Sequence, residues 1–264
     1  MTVGSGLAVV TGASSGIGAA LARLLAAEGR QLLLAARGRD ALESLAAEIN
    51  AKGGTAEVLA VDLGTIEGRS ALWDRTEGGG RPVSLLVNNA GFGLVGPEAE
   101  LPLERVHALL ELNVVATAEL THRFFVAMRA RRAGAILNVA STSAFYPMPY
   151  FSVYGASKAF VLNFTHALHE EAKSDGVVVT CLVPGYTKTN FHAVAHMKGA
   201  ETTPFPEMSA EAVAMIGLKA LRKKKAFAVT HPLDRLWIAS GRLVPRAVPA
   251  KIGARFFRKA RLDS

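Results

Sequence analysis

Cysteine is almost absent from this 264-residue chain, which contains only Cys181, so an intramolecular disulfide is excluded. No spacing of metal-ligating residue types predicts a metal site. The chain also lacks a run of about 18 consecutive apolar residues, which argues against a membrane-spanning helix. Its first residues form neither a basic segment nor a long apolar one, so no signal peptide is predicted. We therefore expect a cytoplasmic protein.

Acidic residues are scarce at one end of the chain. From Arg222 onward there are twelve Lys and Arg but two Asp, a local charge of +10, whereas the whole chain carries +8. Within residues 245–261, Val248, Ile252 and Phe256 recur every four residues among basic side chains, which predicts a basic amphipathic helix. Two interpretations stay open, since this helix could dock on the protein or lie peripherally on an anionic membrane surface. Nucleic-acid binding is not expected, because no recognised module surrounds these charges.

Hydrophobic residues make up 50% of the chain, enough to bury a large core. Seven short, nearly continuous apolar runs alternate with segments of helical periodicity, a pattern typical of parallel strands covered on both faces. The runs are Leu7–Thr11, Gln31–Ala36, Ala56–Ala60, Val83–Val87, Ala135–Val139, Val177–Val183 and Ala226–Val229. They predict an α/β fold with one doubly wound, Rossmann-like parallel sheet and helices on both faces.

No low-complexity linker divides the chain, so we predict one catalytic domain over residues 1–230. It would include two variable loops, 142–151 and 186–208, at the reacting end. Residues 231–264 would form the basic helical extension, packed on or beside the same domain.

A glycine-rich turn follows the first predicted strand and opens the first predicted helix. Its spacing, Gly12-x-x-x-Gly16-x-Gly18, leaves backbone N–H groups and the positive helix end beside an anion. Gly12 permits the turn, and the other two glycines allow a pyrophosphate and the helix to approach closely. The pattern indicates a dinucleotide site, although a purely structural turn is the alternative for a glycine loop taken alone.

The second predicted strand ends at Ala35-Ala36-Arg37-Gly38-Arg39, where an NAD-binding fold would place an acid for the ribose hydroxyl. The acid is missing, and a guanidinium is available to pair with a 2′-phosphate. We therefore expect NADP rather than NAD. The alternative is that Arg37 and Arg39 are solvated loop charges.

Ser141 follows the fifth predicted strand, while Tyr154 and Lys158 share one face of a predicted helix. At this spacing the two Cβ atoms lie about 6 Å apart. The ammonium and a cationic oxidised nicotinamide should both lower the phenol pKa from its ordinary value of about 10. With Ser141 hydrogen-bonded to the substrate oxygen, the three residues would suit acid–base catalysis of carbonyl reduction. Taken alone, a Tyr-x-x-x-Lys pair is also a common surface feature of helices.

Seven motifs occur in a fixed order: residues 11–18, Asp62-Leu63, Asn88-Asn89-Ala90-Gly91, Asn113, Ser141, Tyr154 with Lys158, and Pro184-Gly185. Over residues 7–230 the chain thereby resembles the classical short-chain dehydrogenase/reductase family. The resemblance implies that Asn113, Ser141, Tyr154 and Lys158 are catalytic, with Asn113 kinking a helix and holding a relay water. It implies a cofactor-binding set of Gly12, Ser14, Ser15, Gly16, Ile17, Gly18, Arg37, Asp62, Leu63, Asn89, Ala90, Gly91, Tyr154, Lys158, Pro184, Gly185, Thr187 and Thr189.

The sequence departs from the family pattern at two of these positions. Thr187 replaces the usual aliphatic residue, which matters little because the family contact there is made by the backbone. Ser15 stands where some NADP-preferring members have Lys or Arg, so the NADP expectation depends on Arg37. The resemblance also implies a homodimer or homotetramer formed through long helices near Glu104–Arg131 and Tyr154–Lys173.

The two variable loops carry many apolar side chains, which indicates a pocket for a bulky hydrophobic ketone or alcohol. The candidates are Phe145, Tyr146, Met148, Tyr150, Phe151, Phe191, Met197, Phe205 and Met208. The alternative for each residue taken singly is that it packs a lid helix instead of lining the pocket. We expect an NADP-dependent oxidoreductase that transfers hydride between the nicotinamide and such a substrate. The alternative is a non-catalytic sensor or scaffold that binds NADP without turnover.

Overall fold

A seven-stranded parallel sheet organises the protein in the computed structural model, which describes residues 6–189, 191, 207–241, 245 and 247–262, the last with side chains to residue 255. The strands are β1 Leu7–Thr11, β2 Gln31–Ala36, β3 Thr55–Ala60, β4 Val83–Asn88, β5 Gly134–Val139, β6 Val177–Val183 and β9 Phe227–Val229, in the order β3-β2-β1-β4-β5-β6-β9. A separate two-stranded ladder pairs β7 Thr187–Lys188 with β8 Met208–Ser209.

Helices cover both faces of the sheet, as the apolar strands require. They are α1 Gly16–Ala27, α2 Arg39–Ala51, α3 Ile66–Asp74, α4 Leu103–Leu110, α5 Thr117–Ala130, α6 Ser152–Ala172, α7 Ala210–Arg222, α8 Pro232–Gly241 and α9 Ala247–Leu262. Helices α1, α2 and α7 pack on one face, and α3, α5 and α6 on the other. Successive strand residues serve opposite faces: Val10 belongs to the first core and Val9 to the second. The predicted Rossmann-like fold is confirmed.

The order of the strands reverses beside β1, which pairs with β2 on one side and β4 on the other. Crossovers on the two sides of this point leave on opposite faces, so a crevice opens beyond the carboxyl ends of β1 and β4. The glycine turn follows β1 and Asn89 follows β4, so both motifs lie at this crevice.

A buried polar network joins the sheet to the helices behind it. Asn88 donates to Thr121 and to Asn138, both at 2.9 Å, and Asn138 donates to Thr165 at 3.0 Å. These bonds connect β4 and β5 to α5 and α6, and α6 also carries Tyr154 and Lys158. Buried hydrogen bonds with fixed partners hold a helix in one register, so the network orients the reacting end.

The predicted long helix near Glu104–Arg131 is interrupted. A π-helical turn over Glu111–Ala116 separates α4 from α5, and Asn113 lies fully buried within it. Such turns displace the ladder of helical hydrogen bonds and turn a side chain out of its regular position. Asn113 therefore lies where the regular helix is interrupted, which agrees with the helix kink expected there.

Helices α8 and α9, near the end of the chain, pack against the segment that follows β5. The Tyr146 hydroxyl donates to the Trp237 carbonyl at 2.6 Å, which attaches α8 to the segment after β5. Gly253 of α9 lies beside Pro149, in the same segment. Over the described part of the chain, no helix is both long and apolar enough to cross a membrane.

Candidate active site

A cleft of about 920 Å³ lies beyond the carboxyl ends of the sheet strands. It is lined by most of the predicted cofactor-binding set, from Gly12 through Thr189, and by Ser141, Tyr154 and Lys158. Gly18 and Asn113 are the exceptions among the described residues of the predicted set, because both lie behind the wall of the cleft. One tertiary crevice thus gathers motifs that are spread over almost 180 residues.

The glycine turn has the backbone conformation expected of it. Gly12 and Gly16 have φ values of +64° and +55°, in the left-handed region that favours glycine. A Cβ on Gly12 would lie 2.8 Å from the Ala90 Cα, and one on Gly18 would collide with the Gly12 carbonyl. Gly18 therefore serves the packing of α1 against the turn rather than a direct contact with a ligand.

The residues at this turn fit a dinucleotide pyrophosphate. Helix α1 begins at Gly16, and its N-cap residue Ser15 makes no capping hydrogen bond through its side chain in the described structure. The first N–H groups of α1 thus receive no cap from Ser15, and Gly12 and Gly16, which have no Cβ, line the cleft beside them. An anion at the positive end of the helix would satisfy these groups.

Asn89 holds the glycine turn against β4. Its amide donates to the carbonyls of Thr11 and Gly12 at 3.0 and 3.2 Å. In return, the Thr11 hydroxyl oxygen accepts from the backbone N–H groups of Asn89 and Ala90, both at 3.0 Å. The two strand ends at the crevice are therefore linked by side-chain bonds, which brings Ala90 and Gly91 to the cleft wall.

Arg37 lies at the mouth of the cleft, just beyond β2. Its side chain is 68% exposed, and its guanidinium lies 4.0 Å from the Asp62 carboxylate, a long contact for an ion pair. Asp62 in turn accepts a bond from the Gly64 N–H at 2.9 Å. Arg37 is therefore largely available to a ligand. Arg39, by contrast, begins α2, lies 3.4 Å from Glu43 and does not line the cleft.

Tyr154 and Ser141 both line the cleft, and Ser141 is close enough to influence the pKa of the phenol. The phenol ring stacks on Phe151, with centroids 4.2 Å apart, and contacts Phe191 at 5.3 Å. Burial raises the pKa of Tyr154 to about 12, and the hydroxyl of Ser141 opposes that rise. The expected lowering of this pKa is therefore wrong for the protein by itself, because desolvation of the phenolate outweighs the opposing effect of Ser141.

Lys158 is buried one helical turn after Tyr154. Its Nζ donates to the Val139 carbonyl at 2.9 Å and lies 5.8 Å from the centre of the Tyr154 ring. Burial lowers the pKa of Lys158 to about 8, since the ammonium loses its hydration. Because the Lys158 ammonium is itself poorly hydrated, Lys158 is less often charged, and it can stabilise a Tyr154 phenolate only to a limited extent.

The side-chain amide of Asn113 makes three hydrogen bonds to protein groups. Its amide oxygen accepts from the Phe92 N–H at 3.1 Å, and its nitrogen donates to the Phe92 carbonyl and to the Ser157 hydroxyl. A Cβ on Gly91 would lie 2.8 Å from the Asn113 oxygen and 3.4 Å from the Lys158 Nζ. Asn113 therefore lies behind Gly91, on the side where Lys158 enters the cleft.

The loop after β6 forms the wall next to these groups. The Gly185 N–H donates to the Thr230 hydroxyl at 3.3 Å, and the Thr187 hydroxyl donates to the Gly185 carbonyl at 3.0 Å. Thr187 opens the short ladder with Met208, and the side chain of Thr189 lies against Gly16. Pro184, Gly185, Thr187 and Thr189 all line the cleft.

Only some of the residues predicted to contact the substrate line the cleft. Four line the cleft: Tyr146, Met148, Phe151 and Phe191. Three do not: Phe145 packs against the core beside β6, Met208 packs against the core beneath α7, and Tyr150 lies outside the cleft lining with a φ of +63°. Their prediction as pocket residues is wrong, because apolar type alone does not tell a core contact from a pocket wall. Met197 and Phe205 lie outside the described residues.

Sequence reasoning missed the residues that the C-terminal extension adds to the cleft. They are Asp234 and Trp237 from α8, with Pro249, Ile252 and Gly253 from α9. The four-residue spacing of Val248 and Ile252 indicated an apolar stripe but not what it faces. No group of residues suited to a metal ion occurs in the described ranges.

Comparison with known proteins agrees with this geometry. Residues 6–198 match the family model of the short chain dehydrogenases. The very-long-chain 3-oxoacyl-CoA reductase of Anas platyrhynchos is 33% identical over 220 residues, which cover 81% of this chain and 69% of that protein. A short-chain dehydrogenase from Sphingobium yanoikuyae in complex with NADPH has a TM-score of 0.82 and 30% identity, covering 89% of this chain and 92% of that one.

A third similar protein is the bulky-bulky ketone specific alcohol dehydrogenase from Comamonas testosteroni, with a TM-score of 0.77 and 25% identity. The match covers 90% of this chain and 92% of that one. The chain belongs to the short-chain dehydrogenase family. It is an NAD(P)-dependent oxidoreductase acting on CH–OH or C=O groups, and none of these comparisons supports the non-catalytic alternative.

The buried Lys158 predicts a specific dependence of stability on pH. The pKa of Lys158 is about 8 in the folded protein, whereas its ordinary value, which applies to the unfolded chain, is 10.5. Between pH 8 and 10.5 the unfolded chain therefore binds more protons at Lys158 than the folded protein does. The contribution of Lys158 to the free energy of unfolding should therefore rise by about 2 kcal/mol between pH 8 and 10. Urea unfolding of Lys158→Met should lack this rise, whereas Lys219→Met, at an exposed position of α7, should keep it. An identical profile for wild type and Lys158→Met would contradict the buried ammonium.

Proposed function

We propose that this enzyme reduces the carbonyl of a bulky hydrophobic substrate with NADPH, or oxidises the corresponding secondary alcohol. The observation that carries the proposal is that Tyr154, Ser141 and Lys158 line one cleft together, with the Tyr154 ring packed between Phe151 and Phe191. A phenol in this setting has one evident use, which is to exchange a proton with an oxygen bound in the cleft.

The protonation states of Tyr154 and Lys158 suggest how a proton would reach the substrate. The bound nicotinamide would supply the hydride. Ser141 would hold the substrate oxygen, and Tyr154 would donate the proton to it, since a pKa of about 12 keeps the phenol protonated at neutral pH. Lys158 would return a proton to Tyr154, and its pKa of about 8 allows it to be charged or neutral near neutral pH. Asn113, which shares the Gly91 wall with Lys158, would link this relay to water.

Replacing Tyr154 with Phe removes the proton donor but keeps the stacked ring. We expect kcat to fall by about 10²- to 10⁴-fold, the range for general acid catalysis, with the Kd for NADPH nearly unchanged. Steady-state turnover and the quenching of NADPH fluorescence measure the two effects. Tyr150→Phe, a tyrosine outside the cleft lining, is the matched control. Full activity in Tyr154→Phe would refute the role of the phenol.

The apolar character of the cleft supports a bulky substrate. Beside the reacting groups it is lined by Phe92, Leu112, Tyr146, Met148, Phe151, Phe191, Trp237, Pro249 and Ile252. Pockets of this lining bury apolar ligands. The similar proteins point the same way, since one is named for very-long-chain acyl-CoA and another for bulky ketones.

NADP preference rests on Arg37. Its exposed guanidinium lines the cleft directly after β2, and its contact with Asp62 is too long to satisfy it fully. A 2′-phosphate there would accept charge-assisted hydrogen bonds, which are about twice as strong as neutral ones. The NADPH complex of the Sphingobium yanoikuyae protein is consistent with this choice.

Arg37→Asp should reverse the cofactor preference. We expect NADPH to bind about 10- to 100-fold more weakly, with NADH affected little, because only NADPH carries the 2′-phosphate. Titration of both cofactors measures the change. Arg39→Asp, two residues away and paired with Glu43, should leave both affinities as they are. Equal losses for NADPH and NADH in Arg37→Asp would contradict the assignment.

The enzyme would function as a homodimer or homotetramer. Large apolar side chains are exposed on the helices that the family resemblance places at subunit contacts: Leu103, Leu110, Val115, Val126 and Phe160. A second copy of the chain would cover them, and the mass in solution distinguishes the two assemblies.

The division at residue 230 separates the dinucleotide-binding unit from an extension that we assign two roles. Residues 231–264 would complete the substrate wall through α8 and α9, and α9 would also approach an anionic membrane surface peripherally. Lys251 and Arg255 are exposed on α9, beside the half-exposed Val248 and Ile252. Basic and apolar groups together favour such an interface.

Reversing two of these charges should weaken membrane binding without disturbing the cleft. For Lys251→Glu with Arg255→Glu we expect at least a 10-fold loss of binding to vesicles of phosphatidylserine and phosphatidylcholine, since each basic residue contributes about 1 kcal/mol. Co-sedimentation measures it, with Lys219→Glu as the control at a distant exposed position. If wild type does not sediment with these vesicles, the membrane role is refuted.

A further inference from the structure

Asp234 is a buried carboxyl group in the wall of the cleft that the proposed reaction does not use. It is the third residue of α8, and only 5% of its surface is exposed. Its Oδ2 atom has no hydrogen-bond partner within the described residues, although the side chain lines the cleft. Buried polar atoms are nearly always paired, so an unpaired carboxylate oxygen beside a cavity indicates a missing ligand group.

The neighbours of Asp234 show which part of the cleft its carboxylate adjoins. Its carboxylate lies against Gly185, where a Cβ would collide with Oδ2. On the same helix, Trp237 lines the cleft and is bonded to Tyr146 of the 142–151 loop. Asp234 thus lies where the loop after β6 meets the aromatic wall. This corner of the cleft follows β6, which two strands separate from β1 and its glycine turn, and it joins the predicted cofactor-binding loop at Gly185 to the aromatic wall at Trp237.

We infer that Asp234 determines specificity by accepting a hydrogen bond from a hydroxyl or N–H group that the substrate carries near its reacting carbonyl. The inference rests on the proposed function and narrows it, since a purely apolar ketone would leave this oxygen unpaired. Burial also raises the pKa of Asp234, which is the direction expected for a carboxyl lacking partners for its charged form. The neighbouring His231 side chain opposes that rise.

The test compares 1-tetralone with its 4-, 5-, 6- and 7-hydroxy derivatives, which place one donor at different points around the same ketone. In wild type we expect at least one hydroxy isomer to exceed 1-tetralone in kcat/KM by about 10-fold or more. In Asp234→Ala that ratio should fall to about 1, while kcat/KM for 1-tetralone and the Kd for NADPH change less than about 3-fold. Asp234→Asn, whose amide oxygen still accepts, should keep part of the preference.

The control is Leu233→Ala, since this neighbouring side chain on α8 is 58% exposed and should not affect the ratio. Three results would overturn the inference: no isomer preferred by wild type, an equal loss for all five ketones in Asp234→Ala, or a loss confined to NADPH affinity. Calorimetric binding of the same five ketones separates this inference from the proposed function. Binding that depends on Asp234 without any reduction would refute the reaction but keep the role of Asp234.

Discussion

Two ionisable side chains are buried together in this protein, and the environment favours the neutral form of each. Tyr154 has its pKa raised to about 12 and Lys158 has its pKa lowered to about 8, both chiefly through loss of hydration. Holding these groups there requires a rigid surrounding, which the helix α6, the strand end at Val139 and the network through Asn138 and Thr165 provide. The reactivity of the site depends on this burial more than on the attraction between the two groups.

The cleft is made of two parts with different physical origins. One part follows from the parallel sheet, since the carboxyl ends of β1 and β4 separate at the reversal of strand order and leave room for a dinucleotide. The other part is supplied by α8 and α9, which add Asp234, Trp237, Pro249, Ile252 and Gly253 to the lining of the cleft. The first part is a property of the parallel sheet, whereas the second depends on how the residues after β9 pack against the segment that follows β5.

Much of the fold was predictable because its signals are local. The seven apolar runs became the seven strands of the large sheet, and the boundaries differ by a residue at β3, β4, β5 and β9. The glycine turn was equally clear, since a positive φ at Gly12 and Gly16 is a requirement of the backbone itself. The helix near Glu104–Arg131 was predicted as one piece, because helical periodicity continues through the π turn that interrupts it.

By itself, the sequence determined the order of the strands along the chain, the glycine turn, and the Ser, Tyr and Lys positions. Each of these depends on residue type and short spacing. The tertiary structure alone decided the direction of the Tyr154 pKa shift, the removal of Phe145, Tyr150 and Met208 from the pocket, and the entry of Asp234 into it. These outcomes depend on desolvation and on contacts between distant segments. Such effects arise only when the chain is packed, so no local pattern could carry them.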